Sequence, residues 1–260
     1  MTAPSADTVV RTTAEEILSG SLHAGDKLPS ERALATRFGV GRPLIREAFR
    51  TLAEMGLIET IPSRGTFVRA GDDPLAYRQG GMAVRRRGVT AQQLSEARLL
   101  LETGAARYAA QRATPADLAR LTVALGRVDA SEGLEHVADD LAFHLEIASA
   151  AHNPVLELML ESIAVPTASL MVRSVGDPDV MRQSQPYHRA CLEAIRRRDP
   201  DAAAEAMRAH LTVAREMYGE DYERSVEDLA GRALARLGAG AGLEELVDRV
   251  LVARATERRE

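Results

Sequence analysis

Four times between residues 114 and 200 a side chain able to cap a helix is followed at once by proline: Thr114-Pro115, Asn153-Pro154, Asp177-Pro178 and Asp199-Pro200. The cap oxygen accepts from the free N–H groups of a first helical turn, and proline, with fixed φ and no N–H, suits the first helical position. Four helix starts follow, and Thr90-x-x-Gln93 supplies a fifth with capping-box spacing. About seven helices are expected between residues 74 and 218. The intervals between starts are irregular, which argues against a solenoid and for a helical bundle.

The first seventy residues follow a different grammar. A helix is expected over Val9–Ser19, an extended piece at Lys27–Pro29, and helices over Ser30–Phe38 and Gly41–Met55, the last closed by Gly56. Two β-runs follow, Leu57–Ile61 and Thr66–Ala70, around the turn Pro62-Ser-Arg-Gly65. Two short helices joined through Gly39 and followed by a hairpin describe a winged helix-turn-helix, whose second helix lies in the major groove of DNA. The fold class is therefore mainly α: an N-terminal winged helix-turn-helix with a small β-hairpin, then an all-α bundle.

Charge agrees with that division. The net charge of −5 taken alone argues against a nucleic-acid partner, but Lys27 to Arg69 carries eight basic side chains against four acidic. At 100° per residue Arg42, Arg46 and Arg50 span only about 80° of the helix circumference, apart from the apolar face of Ile45, Ala48, Phe49 and Leu52. Arginine reads guanine bidentately and also binds phosphate, so this stripe suits DNA. Arg50 has an equal alternative in pairing with Glu47 or Glu54 at helical spacing.

Several function classes are excluded. The nearest approach to a phosphate-binding loop, Gly20-x4-Gly25, lacks the Gly-Lys-Ser/Thr cradle. One cysteine, Cys191, rules out an internal disulfide and a zinc ribbon, and is expected as a small core side chain. The chain has no long uninterrupted apolar run, and its start, MTAPSADTVV, lacks the marks of a secretory signal, so a cytoplasmic protein without membrane attachment is expected.

Any metal site must then be built from histidine and carboxylate. His144, His188 and His210 lie on apolar helical faces, and Asp140 precedes His144 by one turn among Val137, Phe143 and Ile147. The turn at Asp199-Pro200 leaves His188 about as far before it as His210 lies after it, so the two stand at one height in an antiparallel pair. Asp140, His144, His188 and His210 together make the donor set of a divalent ion, with Zn²⁺ the first candidate and Ni²⁺, Mn²⁺ and Fe²⁺ also suited. His23, His136 and His152 are expected in turns or at the surface. Arg85-Arg86-Arg87 is read as a charge run favourable at a helix C-terminus.

Three ordered blocks resemble the DNA-binding domain of GntR-type transcription regulators: Gly25-Asp-Lys-Leu-Pro-Ser-Glu-Arg-Ala-Leu-Ala35, Val40-Gly-Arg-Pro-Leu-Ile-Arg-Glu-Ala48 and Arg64-Gly-Thr-Phe-Val68. The resemblance implies DNA contacts from Arg32, Arg42 and Arg46, and from Arg64 and Gly65 at a wing tip entering the minor groove. Gly41 stands where the family usually has Ser or Thr, and the usual proline has moved to Pro43. The second half, through Glu96–Ala106, Asp140-Leu-Ala-Phe-His144, Asn153-Pro154, and His188 to His210, resembles the FCD-type effector domain of the FadR branch of that family. What this implies is a metal that helps bind a small organic acid, dimerisation through either half or both, and Arg98 as a holder of the effector's carboxylate. An ion pair of Arg98 with Glu102 at i+4 is the equal alternative.

The expected division is 8–70, winged helix-turn-helix; 71–90, linker and connecting helix, the join at Ala70-Gly-Asp-Asp-Pro74; 91–218, helical effector domain; and 219–260, an extra tail. The tail should hold helices Asp221–Leu237 and Leu243–Ala255 about a joint at Gly238–Gly242. The function expected is a transcription regulator, by family habit a repressor, acting as a homodimer on a short inverted repeat and controlled by an organic acid at the metal. The alternative is a metal-dependent hydrolase in the helical half, although the chain lacks HExxH and a Pro-Cys-x-x-Cys motif.

Overall fold

In the computed structural model of the chain, which describes residues 5–69, 81–175, 177–216, 218–237 and 242–257, the N-terminal unit is organised by α1 (Ala6–Leu18), α2 (Glu31–Phe38) and α3 (Arg42–Glu54). Ser30 caps α2 by accepting from the Ala33 N–H, and Gly39 ends it in the left-handed conformation at φ 65°. Gly41 offers α3 no side-chain cap, and Pro43 in the first turn has no N–H that would need one. Val9, Leu34, Ile45 and Ala48 pack the three helices together. Val9, Leu34 and Ile45 are each worth about 1.5–3 kcal/mol when buried.

The hairpin follows as β1 (Ile58–Ile61) and β2 (Gly65–Val68), antiparallel with Ile58 opposite Val68 and Ile61 opposite Gly65. The extended piece expected at Lys27–Pro29 joins its free edge: Leu28 N–H donates to Thr66 O at 2.8 Å, and Val68 N–H to Asp26 O at 2.9 Å. Leu28, Leu52, Ile58 and Val68 form the core that fastens hairpin to helices. This is the winged helix-turn-helix expected from the sequence.

The second compact unit, which the chain enters at Tyr77, is all-helical among its described residues. Residues 81–85 are helical and Arg86 to Gly88 form a turn. Then come α4 (Ala91–Arg112), α5 (Pro115–Ala130), α6 (Gly133–Ala150), α7 (Pro154–Ser162), α8 (Ala164–Val175), α9 (Pro178–Arg196) and α10 (Pro200–Glu216). The starts are those the capping signals marked: Thr90 and Thr114 make full capping boxes, and Asn153 and Asp177 accept from two first-turn N–H groups each. Ala105, Ala106, Ala109 and Ala110 on α4 are fully buried, and side chains this small let α10 pack closely against it.

Beyond α10 the sequence expectation needs correction. One helix was expected over Asp221–Leu237. Instead a 3₁₀ turn (Gly219–Glu223) precedes α11 (Val226–Arg236), because Arg224 is extended and Ser225 caps the new helix through Asp228 N–H. The break is held in place: Ala91 N–H donates to Arg224 O and Val226 N–H to Val89 O, at 2.9 and 3.0 Å. The final helix, α12 (Leu243–Glu257), runs past the expected Ala255. The expected joints at Ala70–Pro74 and Gly238–Ala241 lie outside the described residues. Arg85 pairs with Glu227 of α11 and Glu244 of α12, so this arginine tethers the tail as well as ending a helix.

Arg254 fastens α12 to the bundle. Its guanidinium, 5% exposed, pairs with Glu146 and, at 3.3 Å, with Glu157, and donates to Leu145 O at 2.9 Å. Removing one partner of such a buried pair strands the other charge. Arg254→Ala should therefore lower the stability of the helical unit by about 3 kcal/mol in urea unfolding followed by circular dichroism. A loss of under about 1 kcal/mol would show that this clamp does not hold the tail.

Candidate metal centre and nucleic-acid interface

Asp140 and His144, one turn apart on α6, meet His188 of α9 and His210 of α10 in the bundle core. His144 Nε2 and His188 Nε2 lie 3.1 and 3.2 Å from His210 Nε2, and Asp140 Oδ1 lies 3.0 Å from His188 Nε2 and 3.4 Å from His144 Nε2. Donors held at about 2.0–2.1 Å by one tetrahedral ion stand roughly 3.3 Å from each other, so these separations are those of a ligand set. Asp140 Oδ1 is also buried without a hydrogen bond, as is expected of an atom whose partner is a cation. The donors fit a divalent metal ion.

The surrounding groups orient these donors. Glu102 of α4 accepts at His144 Nδ1, turning Nε2 toward the cluster, and Ser184 O faces His210 Nδ1 at 3.4 Å. Carboxylates and carbonyls behind a ligating imidazole fix its tautomer and strengthen it as a donor. Arg98 Nε in turn donates to Glu102 at 2.5 Å, both side chains being buried. Phe143 meets the His144 and His188 rings edge-on, limiting their rotation.

Protonation follows from this packing. Burial alone would lower His144, but Glu102 and Asp140 overcome it and push the imidazole up to about 9. Burial alone would raise Asp140 and Glu102. His188 and His144 hold Asp140 well below the usual carboxylate range, and Arg98 with His144 holds Glu102 down to about 2. His210 is driven well below its ordinary value by burial and then by the neighbouring imidazoles. His144 thus holds a proton opposite two carboxylates. Burial pushes the Cys191 thiol up to about 12, in keeping with its expected core role.

A cavity of about 30 Å³ adjoins the cluster, lined by Arg98, Ser184, Gln185 and Tyr218 among others. That is room for about two waters. Arg98 makes the ion pair with Glu102 that was one of its two alternatives, and it also lines this cavity. His136 corrects the sequence expectation: it is buried, not at a turn or surface, with Nδ1 3.1 Å from Val128 O, and it lines the same cavity. Its neighbours Glu135 and Val137 on a mixed helical face hid this. His23 and His152 are exposed, His152 in a turn with Nε2 2.8 Å from Asp117. Glu102, Ser184 and Tyr218 were missed as parts of the site; the i+4 spacing of Arg98 and Glu102 was the one available signal.

In the N-terminal unit Arg42, Arg46 and Arg50 lie on the exposed face of α3, opposite Ile45, Ala48 and Leu52. Arg42 and Arg46 both reach Glu31 in the first turn of α2, at 3.0 Å each, a tie between the two helices that sequence reading did not find. Arg50 stands 3.8 Å from Glu54. Arg32 and Arg64 are exposed, and the Arg64 guanidinium lies over the Phe67 ring. At Gly65 a side chain would be strained, since φ is 121°, and its Cβ, 2.7 Å from Lys27 Cε, would require the lysine side chain to move. Lys27, Arg46, Arg50 and Arg64 line one groove of about 710 Å³, with Glu31 as its acidic member.

Comparison with known proteins places both halves. Residues 5–68 match the family of bacterial regulatory proteins, gntR family, and residues 93–213 match the FCD domain. The chain is 33% identical over 216 residues to the galactonate operon transcriptional repressor of Escherichia coli K12, which covers 79% of this chain and 93% of that protein. It is 31% identical to the HTH-type transcriptional regulator LutR of Bacillus subtilis 168, covering 81% and 100%. A solved structure, a GntR protein of Streptococcus agalactiae, superposes with a TM-score of 0.64 at 27% identity, covering 81% of this chain and 99% of that one.

Because a metal needs His144 Nε2 free of its proton, uptake near pH 7 should release the His144 proton. Apparent affinity should rise about tenfold per pH unit until about pH 9, as read by calorimetry in buffers of different ionisation enthalpy. Glu102→Gln should lower metal affinity about 10–100-fold and flatten that pH dependence. An unchanged pH slope in this variant would refute the positioning role of Glu102.

Proposed function

The chain belongs to the GntR family of bacterial regulatory proteins, in the branch that carries an FCD effector domain, and from that premise we propose that it is a repressor released from its operator by a small organic acid bound at a metal in the helical unit. As a member of a family of transcription regulators it is not an enzyme, and the hydrolase reading of the helical half falls with that. The observation that carries the rest is the convergence of Asp140, His144, His188 and His210 inside the effector domain.

Zinc suits one carboxylate and three imidazoles, with nickel, manganese and iron as chemical alternatives. When bound, the ion would act as a Lewis acid toward a carboxylate oxygen of the effector. Arg98 would supply the opposing positive charge, and His136, Ser184, Gln185 and Tyr218 the polar surroundings. One relative is named for a galactonate operon, and galactonate is a polyhydroxy carboxylate; this supports an effector of that class. Such a molecule exceeds the present cavity of about 30 Å³, so its entry must displace part of a lining drawn from α4, α6, α8, α9, α10 and Tyr218. That displacement is the differential interaction by which a ligand shifts a conformational equilibrium.

At the other end Arg42 and Arg46 would enter the major groove, with Arg32 and Arg50 beside them and Arg64 with Gly65 at the minor groove. A homodimer, acting in the cytoplasm, would present two such helices to the halves of a short inverted repeat. Among the described residues no single helix is long and apolar enough to cross a membrane; the bent pair α7–α8 passes by length and composition, and α8 is part of the core.

The test is selection of DNA from a random pool by the full-length protein, followed by mobility shift on the selected sequence. Arg46→Ala should weaken binding by about 1–3 kcal/mol, and galactonate or a related sugar acid should release the wild type but not His188→Ala. Equal binding by Arg46→Ala would overturn the recognition-helix assignment. Release of His188→Ala at the wild-type concentration would overturn the metal-site effector.

A further inference from the structure

The groove that the N-terminal unit offers to DNA contains a carboxylate. Among the described residues that line it, Lys27, Arg46, Arg50 and Arg64 are basic and Glu31 is the one acid. An anion on a surface that must approach phosphates costs affinity, because like charges repel. Its presence there calls for a compensating use, and its contacts supply one. Glu31 stands in the first turn of α2 and reaches α3, where Arg42 Nη2 donates to Oε2 at 3.0 Å. Arg46 Nε donates to Oε1 and Oε2 at 3.1 and 3.0 Å. One carboxylate therefore holds two exposed arginines of the helix that faces the major groove.

Which atoms are engaged decides what the arginine can still do. A guanidinium has two N–H edges, one made by Nε with a terminal nitrogen and one by Nη1 with Nη2, and either can meet O6 and N7 of guanine. In Arg46 the first edge is committed to Glu31 through Nε, while no hydrogen bond among the described residues uses Nη1 or Nη2. The open edge is the end of the side chain, so guanine can be read with the Glu31 pair intact.

Phosphate contact is a different case. Base edges form the floor of the major groove and phosphates its walls, so an arginine must swing sideways to reach a phosphate. That swing breaks the bonds to Glu31 and brings a carboxylate and a phosphate together. Holding the two long side chains before DNA arrives also lowers the entropy lost in the base contact. Discrimination of this kind arises by penalising the wrong partner as well as by favouring the right one.

We infer that Glu31 is a specificity-determining residue, which positions Arg42 and Arg46 for base contact and opposes their use on phosphate. The inference rests on the reading of Arg46 as a base-contacting residue and adds the group that directs it. The experiment measures fluorescence anisotropy of full-length protein, over a range of salt concentrations, on the duplex selected from the random pool and on a scrambled duplex of equal length. Glu31→Gln keeps the side-chain length and an acceptor oxygen but removes the charge. It should lower the ratio of selected to scrambled affinity at least about fivefold, through tighter binding of the scrambled duplex. On that duplex the slope of log affinity against log salt should steepen by about 0.9 for each arginine released to a phosphate. In an Arg42→Ala Arg46→Ala background the same substitution should change scrambled-duplex affinity less than about twofold, since no arginine remains to be released. A ratio that falls less than about fivefold, one common factor of loss on both duplexes, or a gain that persists in the double-alanine background would overturn the role of Glu31. Arg46→Ala separates the two readings. If it binds the selected duplex as well as wild type, the base-contact assignment fails and this inference with it. If it binds weakly while Glu31→Gln keeps the wild-type ratio, only the role of Glu31 fails.

Discussion

A carboxylate and three imidazoles buried at one point of a helical bundle are the constraint on which the effector half depends. Burying Asp140 alone would cost several kcal/mol, and three clustered imidazoles cannot all be charged. The fold answers by bringing Glu102 and Arg98 of α4 behind His144, and Ser184 O behind His210, so that donors from α6, α9 and α10 meet at fixed orientation. Four helices are thereby committed to one centre. Asp140 and Glu102 are balanced by Arg98 and a protonated His144, and a divalent cation at the donors would take the place of the His144 proton.

The same helix that presents Asp140 and His144 carries Glu146 toward Arg120 and Arg254. α6 is accordingly braced on both faces, by the donor cluster on one and by the tail on the other. Arg85 and the paired backbone bonds between Val89–Ala91 and Arg224–Val226 tie the tail at its beginning, and Arg254 ties it at its end.

Much of this was legible in the sequence because it rests on local chemistry. Cap-and-proline pairs act within one turn, so the starts of α5, α7 and α9 stand where Thr114, Asn153 and Asp177 put them. His188 and His210 were brought together by the arithmetic of a single hairpin. The Arg42–Arg46 stripe and its opposite apolar face followed from helical periodicity. What escaped was carried by contacts between distant segments. Glu102 reaches His144 across 42 positions and Arg254 reaches Glu146 across 108, and neither spacing has a periodic signature. His136 was misjudged because its burial is decided by Val128 and Ser131 from the preceding helix and loop. The break at Ser225 was missed because the stretch 221–237 reads as a continuous helix unless the strand-like pairing of Arg224 with Ala91 is known.

The central claim is that Asp140, His144, His188 and His210 would hold one metal ion, and that the effector adds to it as a ligand beyond these four by expanding its coordination. X-ray absorption at the zinc edge of the purified, zinc-loaded protein tests it most directly. The account expects one zinc per chain, three imidazole nitrogens and one carboxylate oxygen at about 2.0–2.2 Å, and an added light-atom ligand that changes when an effector acid is supplied. Fewer than three imidazoles, a sulfur neighbour from Cys191, or zinc that persists at full stoichiometry in the His188→Ala His210→Ala double variant would contradict it.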